Sequence, residues 1–305
     1  MAPSRMWASS LRRPGQRPLF WLGVLLLASG LGHVGVWLVE GGSLEGPVSW
    51  RKPIVFGLSA GMATLSFAWV HGLLRPRAAS RALAWGYCVS MFVEIALIDM
   101  QQWRGVASHF NQATPFDAAV FSTMGTLILA VAIIVAIWTY WSFDGLRTDA
   151  AMGMAIRAGM LFFDVGTLLG LVIVLNGEVH KGTSHPPNVF GHAGVLKVPH
   201  GIAFHALQLL PLLAWSMARR GRPIAERLHR VRLGTIGYAG LLAATMVQTF
   251  SGRPPTDLTI TTAPLLLAAA ACLVAAVSPV VARADGATDA HDADHLLAPL
   301  GDRSR

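Results

Sequence analysis

Eight long apolar runs constrain this chain more than any other feature. They cover roughly residues 19–40, 53–73, 82–101, 117–141, 158–176, 200–218, 233–250 and 259–281. A helix that crosses the hydrocarbon core of a bilayer needs about 20 mostly apolar residues, and each run is of that order. Transmembrane strands are a poor alternative, because the runs are too long, lack strict alternation and are rich in Leu, Ala and Met. The chain is 53% hydrophobic and only 13% charged, against about 25% charged in an ordinary soluble domain. That balance, with a mean hydropathy of +0.52, excludes a disordered chain, a disulfide-stapled secreted domain and a typical cytosolic enzyme. The expected fold is an all-α polytopic membrane helix bundle. Residues 1–18 form a cytoplasmic segment, 19–282 a single eight-helix membrane domain, and 283–305 a disordered cytoplasmic tail.

The net charge of +8 reads as a topology signal rather than as a sign of nucleic-acid binding. With the N-terminus inside, 18 of the 24 Lys and Arg residues fall in inner segments and 6 in outer ones. The positive-inside rule then places both termini in the cytoplasm of a bacterial inner membrane. Trp21, Trp69, Trp85, Trp138, Trp141 and Trp215 fall near inner ends of spans, and Trp37, Trp50 and Trp103 near outer ends, as in an interfacial aromatic belt. Arg12 and Arg13 precede the first run as in a signal peptide, but the run is long enough to be a retained anchor. Cys88 and Cys272 both fall inside spans and read as inert packing residues.

Several motifs are structural. Gly30, Gly32 and Gly35 match GxGxxG but lie inside an apolar run without the strand–turn–helix setting of a dinucleotide site. Close helix packing is the expected role. Gly57/Gly61 and Gly166/Gly170 have the small-xxx-small spacing that lets helix backbones approach. Pro211 and Pro264 are expected to kink their spans.

An ionisable residue inside a span is costly and marks a candidate functional site. Glu94, Asp99 and Gln101 lie toward the outer end of the third run, followed by Gln102, Trp103, Arg104, His109 and Asn111. His200, His205 and Gln208 open the sixth run, after an outer loop holding Glu178, His180, His185, His192 and Lys197. Trp50, Arg51, Lys52 and Pro53 open the second, and His33 sits in the outer half of the first. The histidines thus gather on the outer side, where an outward-facing His/Glu/Arg pocket is expected. Asp164, seven residues after Arg157, reads as half of a structural pair or as a hydrogen-bonding group between helices.

The runs Glu94–Asn111, Trp50-Arg51-Lys52-Pro53 and His200–Pro211 together resemble an uncharacterised group of bacterial multi-pass membrane proteins. The resemblance covers the region from Trp50 to Trp215 and implies no activity.

Three functions compete. The first is a membrane redox enzyme that depends on a metal or haem. His109, His200, His205 and Glu94 would bind copper, zinc or iron, or His33 and His205 would hold haem b with Gln208 beside it. Glu94, Arg104, His109 and Lys52 would be its catalytic groups. A quinone or a small molecule from the outer side would be its partner, besides the lipid bilayer itself. The second is a proton-coupled transporter or channel using Glu94, Asp99 and Asp164, although the two halves of the chain show no internal repeat. The third is a non-catalytic sensor or assembly factor using the outer loop 177–199.

Overall fold

The computed structural model describes residues 15–281 and is helical almost throughout. Eight helices follow in order: α1 (Gln16–Glu40), α2 (Arg51–Leu73), α3 (Ser80–Trp103), α4 (Pro115–Phe143), α5 (Ala150–Val179), α6 (Lys197–Arg219), α7 (Ile224–Phe250) and α8 (Thr262–Val281). The first seven are long and apolar enough to cross a membrane, and α8 is a shorter apolar helix. Residues 1–14 and the tail from 282, with Asp285, Asp289, His291 and His295, lie outside the described residues.

Each apolar run becomes one helix, and the departures have simple causes. Helix α7 starts nine residues before its run, at Ile224, and its first turns carry Glu226, Arg227, His229, Arg230 and Arg232. Backbone hydrogen bonding continues where the chain leaves the apolar layer, so hydropathy ends before the helix does. Helix α5 likewise starts at Ala150, because Asp149 caps it by accepting from the Met152 amide at 3.0 Å. Pro264 falls in the first turn of α8, where its missing N–H is not needed, so it sets a helix start rather than a kink. Pro211 stays within α6, which continues through it.

The helices pack chiefly as α1 on α2, α5 on α6 and α7 on α8, with α3 against α1, α2 and α4. Glycine makes the first two contacts. A Cβ at Gly57 would lie 2.7 Å from Gly30 Cα, and one at Gly61 would lie 2.8 Å from Leu27 N. A Cβ at Gly166 would lie 2.7 Å from Phe204 Cδ1, and Gly170 faces the His200 ring. The expected small-residue packing holds at these positions. Of the GxGxxG glycines only Gly30 takes part; Gly32 and Gly35 face open space.

A chain of rings runs through the core. His71, Trp138, Phe67, Phe163, Phe204 and His200 follow one another with centroids 4.4–5.7 Å apart. Trp138 is therefore a core residue, 1% exposed, and not an interfacial anchor. Trp21 and Trp85 are exposed, as a belt requires. Cys88 is buried and Cys272 half-buried, both as free thiols.

The loops define two ends. At one, the α2–α3 and α4–α5 turns meet through the Arg77–Asp144 ion pair and a Leu74–Leu146 bridge, and Asp149 binds Arg227 at 2.7 Å. This is the Arg77 end. At the Trp50 end, two short strands, β1 (Val189–Phe190) and β2 (Gly194–Val195), pair antiparallel. The Asn176 amide donates to the carbonyls of Pro187 and Val189 at 3.0 and 2.7 Å, so the long loop is folded back onto α5.

Candidate functional site

The polar residues singled out in the sequence do gather at the Trp50 end, but as separate groups. The first joins α1 and α3. The Trp103 indole N–H donates to His33 Nε2 at 3.1 Å. An indole nitrogen only donates, so Nε2 is the unprotonated nitrogen of His33. The other nitrogen, Nδ1, then carries the proton and donates to the Ser29 carbonyl at 2.9 Å. Ser29 Oγ donates to Asp99 Oδ2 at 3.1 Å, and the Trp50 ring packs against both His33 and Trp103, edge-on to the latter. Both ring nitrogens of His33 are occupied, so a haem iron would have to displace one of these bonds.

The second group pins α3 to α4. Thr114 caps α4, accepting from the Asp117 amide at 3.1 Å while its hydroxyl donates to Asp117 Oδ2 at 2.7 Å. Asp117 Oδ1 accepts from Gln101 Nε2 at 3.0 Å and from Arg104 Nη1 at 2.8 Å, and Arg104 also donates to Gln101 Oε1. The Arg104 guanidinium, expected to be catalytic, is thus committed to a structural pair and stacks over Phe116 at 4.7 Å. Asp117 was not among the sequence candidates. Its signal was the Thr-Pro-Phe-Asp box just before an apolar run.

The third group surrounds His109 in the α3–α4 loop. Its ring packs on Phe56 of α2 with centroids 5.5 Å apart, and Ser108 Oγ meets Nδ1 at 2.9 Å. The chain reaches this position through Phe110, at φ 57° the one non-glycine residue in the left-handed region among the described residues. Phe110 wedges between Phe121 and Gly177. Burial, and then the ammonium groups of Lys52 and Lys197, push the His109 imidazole down to about 3 from its ordinary 6.5. His109 is therefore neutral at neutral pH. Unfolding would let it bind a proton between pH 6.5 and about 3, so its contribution to stability is present above pH 6.5 and declines as pH falls through that window. His109→Asn is expected to flatten the pH dependence of the melting temperature there. An unchanged slope would show that His109 does not titrate as described.

The remaining candidates diverge. His200 Nδ1 donates to the Gly166 carbonyl at 2.7 Å, which turns the ring toward α5. His205, expected to be a metal or haem ligand, is exposed on the outer surface of α6. Gln208 meets Ser66 Oγ of α2 at 3.2 Å. His180 and His185 stack at 4.2 Å in the loop, each with one nitrogen on a backbone carbonyl. Among the described residues no three His, Cys, Asp or Glu side chains converge as a metal site would need. Of the two expected roles of Asp164, the pair with Arg157 does not form, since Arg157 donates to the Ser142 carbonyl at 3.0 Å, and the hydrogen bond between helices does, between Asp164 of α5 and Thr139 of α4.

Two carboxyls stand apart. Glu94 is 5% exposed within α3, and its Oε2 is buried without a hydrogen-bond partner. Asp99 Oδ1 is likewise buried and unpartnered. A groove of ≈ 560 Å³ between α1 and α3 lies toward the Arg77 end, lined by Trp21, Trp85 and Phe92 among other apolar side chains, and does not include either carboxyl.

Fold and composition together define an integral multi-pass helical membrane protein. No protein-family model, no curated protein and no solved structure matches the chain.

Proposed function

We propose that the protein is a proton-coupled membrane transporter in which Glu94 is the proton-exchanging group. One observation carries this reading: a carboxyl within a membrane-spanning helix has a buried oxygen with no hydrogen-bond partner. Burying such a group costs free energy, and a chain keeps it inside a span where it has work to do. With no bond to break at Oε2, a proton can be gained or lost there without rebuilding a network. Asp99 supports the reading. It lies five residues nearer the Trp50 end, about 7.5 Å along the helix, and offers a second unpartnered carboxyl oxygen between Glu94 and that end. The donors His33, His109, His200 and His205 point in different directions, so the metal- or haem-dependent redox enzyme and its quinone partner draw no support from the geometry.

Proteoliposomes loaded with a pH-reporting dye test this, under an imposed proton gradient and with a panel of phosphate, carboxylates, amino acids and sugars. At least one solute is expected to drive proton entry. Glu94→Gln is expected to abolish that coupled flux while leaving solute exchange in place. Equal coupled flux in both proteins, or a panel without a responding solute, overturns the proposal.

We also infer that the Arg77 end faces the cytoplasm of a bacterial inner membrane, on the support of the 18 to 6 division of basic residues. A reporter fused after Arg305 is expected to be active in the cytoplasm; activity on the far side of the membrane would reverse the orientation.

A further inference from the structure

The groove between α1 and α3, at ≈ 560 Å³, lies within the size range of small-molecule sites. One face of each helix lines it. Arg17, Trp21 and Leu25 recur every four residues along α1, and Trp85, Cys88 and Phe92 follow at helical spacing along α3. Cys88 is buried, whereas Trp21, Leu25, Trp85 and Phe92 are each at least half exposed. The groove is therefore open along the side of the bundle, where spanning helices face hydrocarbon.

The Arg17 end of the groove differs from the rest. The Gln16 amide donates to the Ala68 carbonyl of α2 at 3.0 Å, which fixes the start of α1, and Arg17 with it, at the Arg77 end. Arg17 is exposed, and it is the only charged side chain among the described residues that line the groove. Trp21 lies one turn further in and Trp85 faces the groove from α3; indole rings favour the headgroup level of a bilayer. From Arg17 to Leu25 α1 rises about 12 Å, and from Trp85 to Phe92 α3 rises about 10 Å. One leaflet accounts for about 15 Å of the hydrocarbon core. The groove thus combines a cation at headgroup level with apolar walls through most of one leaflet.

We propose that this groove binds an anionic phospholipid, with one acyl chain lying between α1 and α3 and the phosphate paired with the Arg17 guanidinium. A guanidinium makes strong, often bidentate hydrogen bonds to phosphate. The acyl chain is in apolar surroundings whether bound or free, so the groove selects by shape and Arg17 selects by charge. A free phosphate would make no use of the apolar walls, and an uncharged amphiphile none of the Arg17 charge. The site goes beyond the proton-exchange reading and does not depend on it.

Tryptophan quenching of the full-length protein in phosphatidylcholine nanodiscs tests the site. The nanodiscs carry rising fractions of phosphatidylglycerol or of phosphatidylcholine brominated in the acyl chain. The quenching that belongs to Trp21 and Trp85 is the difference between wild type and the Trp21→Phe/Trp85→Phe double variant. That difference is expected to saturate at about a fivefold lower fraction of brominated phosphatidylglycerol than of brominated phosphatidylcholine, the contribution of one cation near an anionic headgroup. Arg17→Gln, at an exposed position, is expected to bring the two fractions together, and Arg17→Lys to keep most of the gap. Arg219→Gln alters a guanidinium that lies over Trp215 of α6 at 5.2 Å and is expected to leave the gap unchanged. Glu94→Gln is expected to leave it unchanged as well, which separates failure of this site from failure of the transport reading. Equal fractions for the two lipids in wild type, a wild-type gap in Arg17→Gln, or a loss in Arg219→Gln as large as in Arg17→Gln overturns the site. So does the absence of any quenching that belongs to Trp21 and Trp85, the result that a second copy of the chain seated in the groove would give.

Discussion

Gly57→Leu is expected to prevent α1 from seating on α2 and to lower the yield of folded protein sharply. Even the first carbon of a side chain there would lie 2.7 Å from Gly30 Cα, 2.8 Å from Gly30 N and 3.0 Å from the Leu26 carbonyl. These are backbone atoms, which cannot rotate away as a side chain can. Overpacking of a well-packed core typically costs about 1–3 kcal/mol, and a backbone clash belongs at or above the top of that range. In lipid the loss is felt fully, because helix association there rests on close packing rather than on the hydrophobic effect. Gly32→Leu is the control, since nothing lies within 4 Å of that position. Thermal unfolding in detergent should separate the two by many degrees. Equal melting temperatures would contradict the α1–α2 contact.

The second large effect is expected at Asp117. Its carboxylate joins the cap of α4, the Arg104 guanidinium and the Gln101 amide. Gln101 is 0% exposed, and leaving its buried donor unpaired costs about 1–3 kcal/mol. Asp117→Ala removes that acceptor, unpairs Arg104 and weakens the start of α4 in one step. Asp117→Asn keeps an acceptor oxygen and is expected to fall between alanine and wild type. The order wild type, Asn, Ala in melting temperature checks the network; an alanine variant as stable as wild type would refute it.

Much of the architecture is legible in the sequence because lipid imposes a length on each span, and hydropathy reads that length directly. The helix extensions at Ile224 and Ala150 are not legible from hydropathy, since polar helix beyond the apolar layer leaves no such signal. Their marks are local ones, the Asp149 cap before Ala150 and Pro223 before Ile224. The glycine motif shows a different limit. Spacing alone does not tell Gly30, which touches Gly57, from Gly32, which touches nothing. The same holds for the histidines. His200 and His205 lie five apart on one helix, yet one bonds the Gly166 carbonyl and the other faces outward. Which face of α6 meets α5 is decided by Gly159 and Gly166, residues distant in sequence. The Thr114–Asp117 box, by contrast, is local and was there to be read.

In the proposed transport cycle, Glu94 gains and loses a proton inside the membrane. Infrared difference spectroscopy between high and low pH, on the protein in nanodiscs, tests it most directly. The predicted result is a reversible carboxyl signal that is present in wild type and in Asp99→Asn and absent from Glu94→Gln. Identical carboxyl difference spectra for wild type and Glu94→Gln would contradict it.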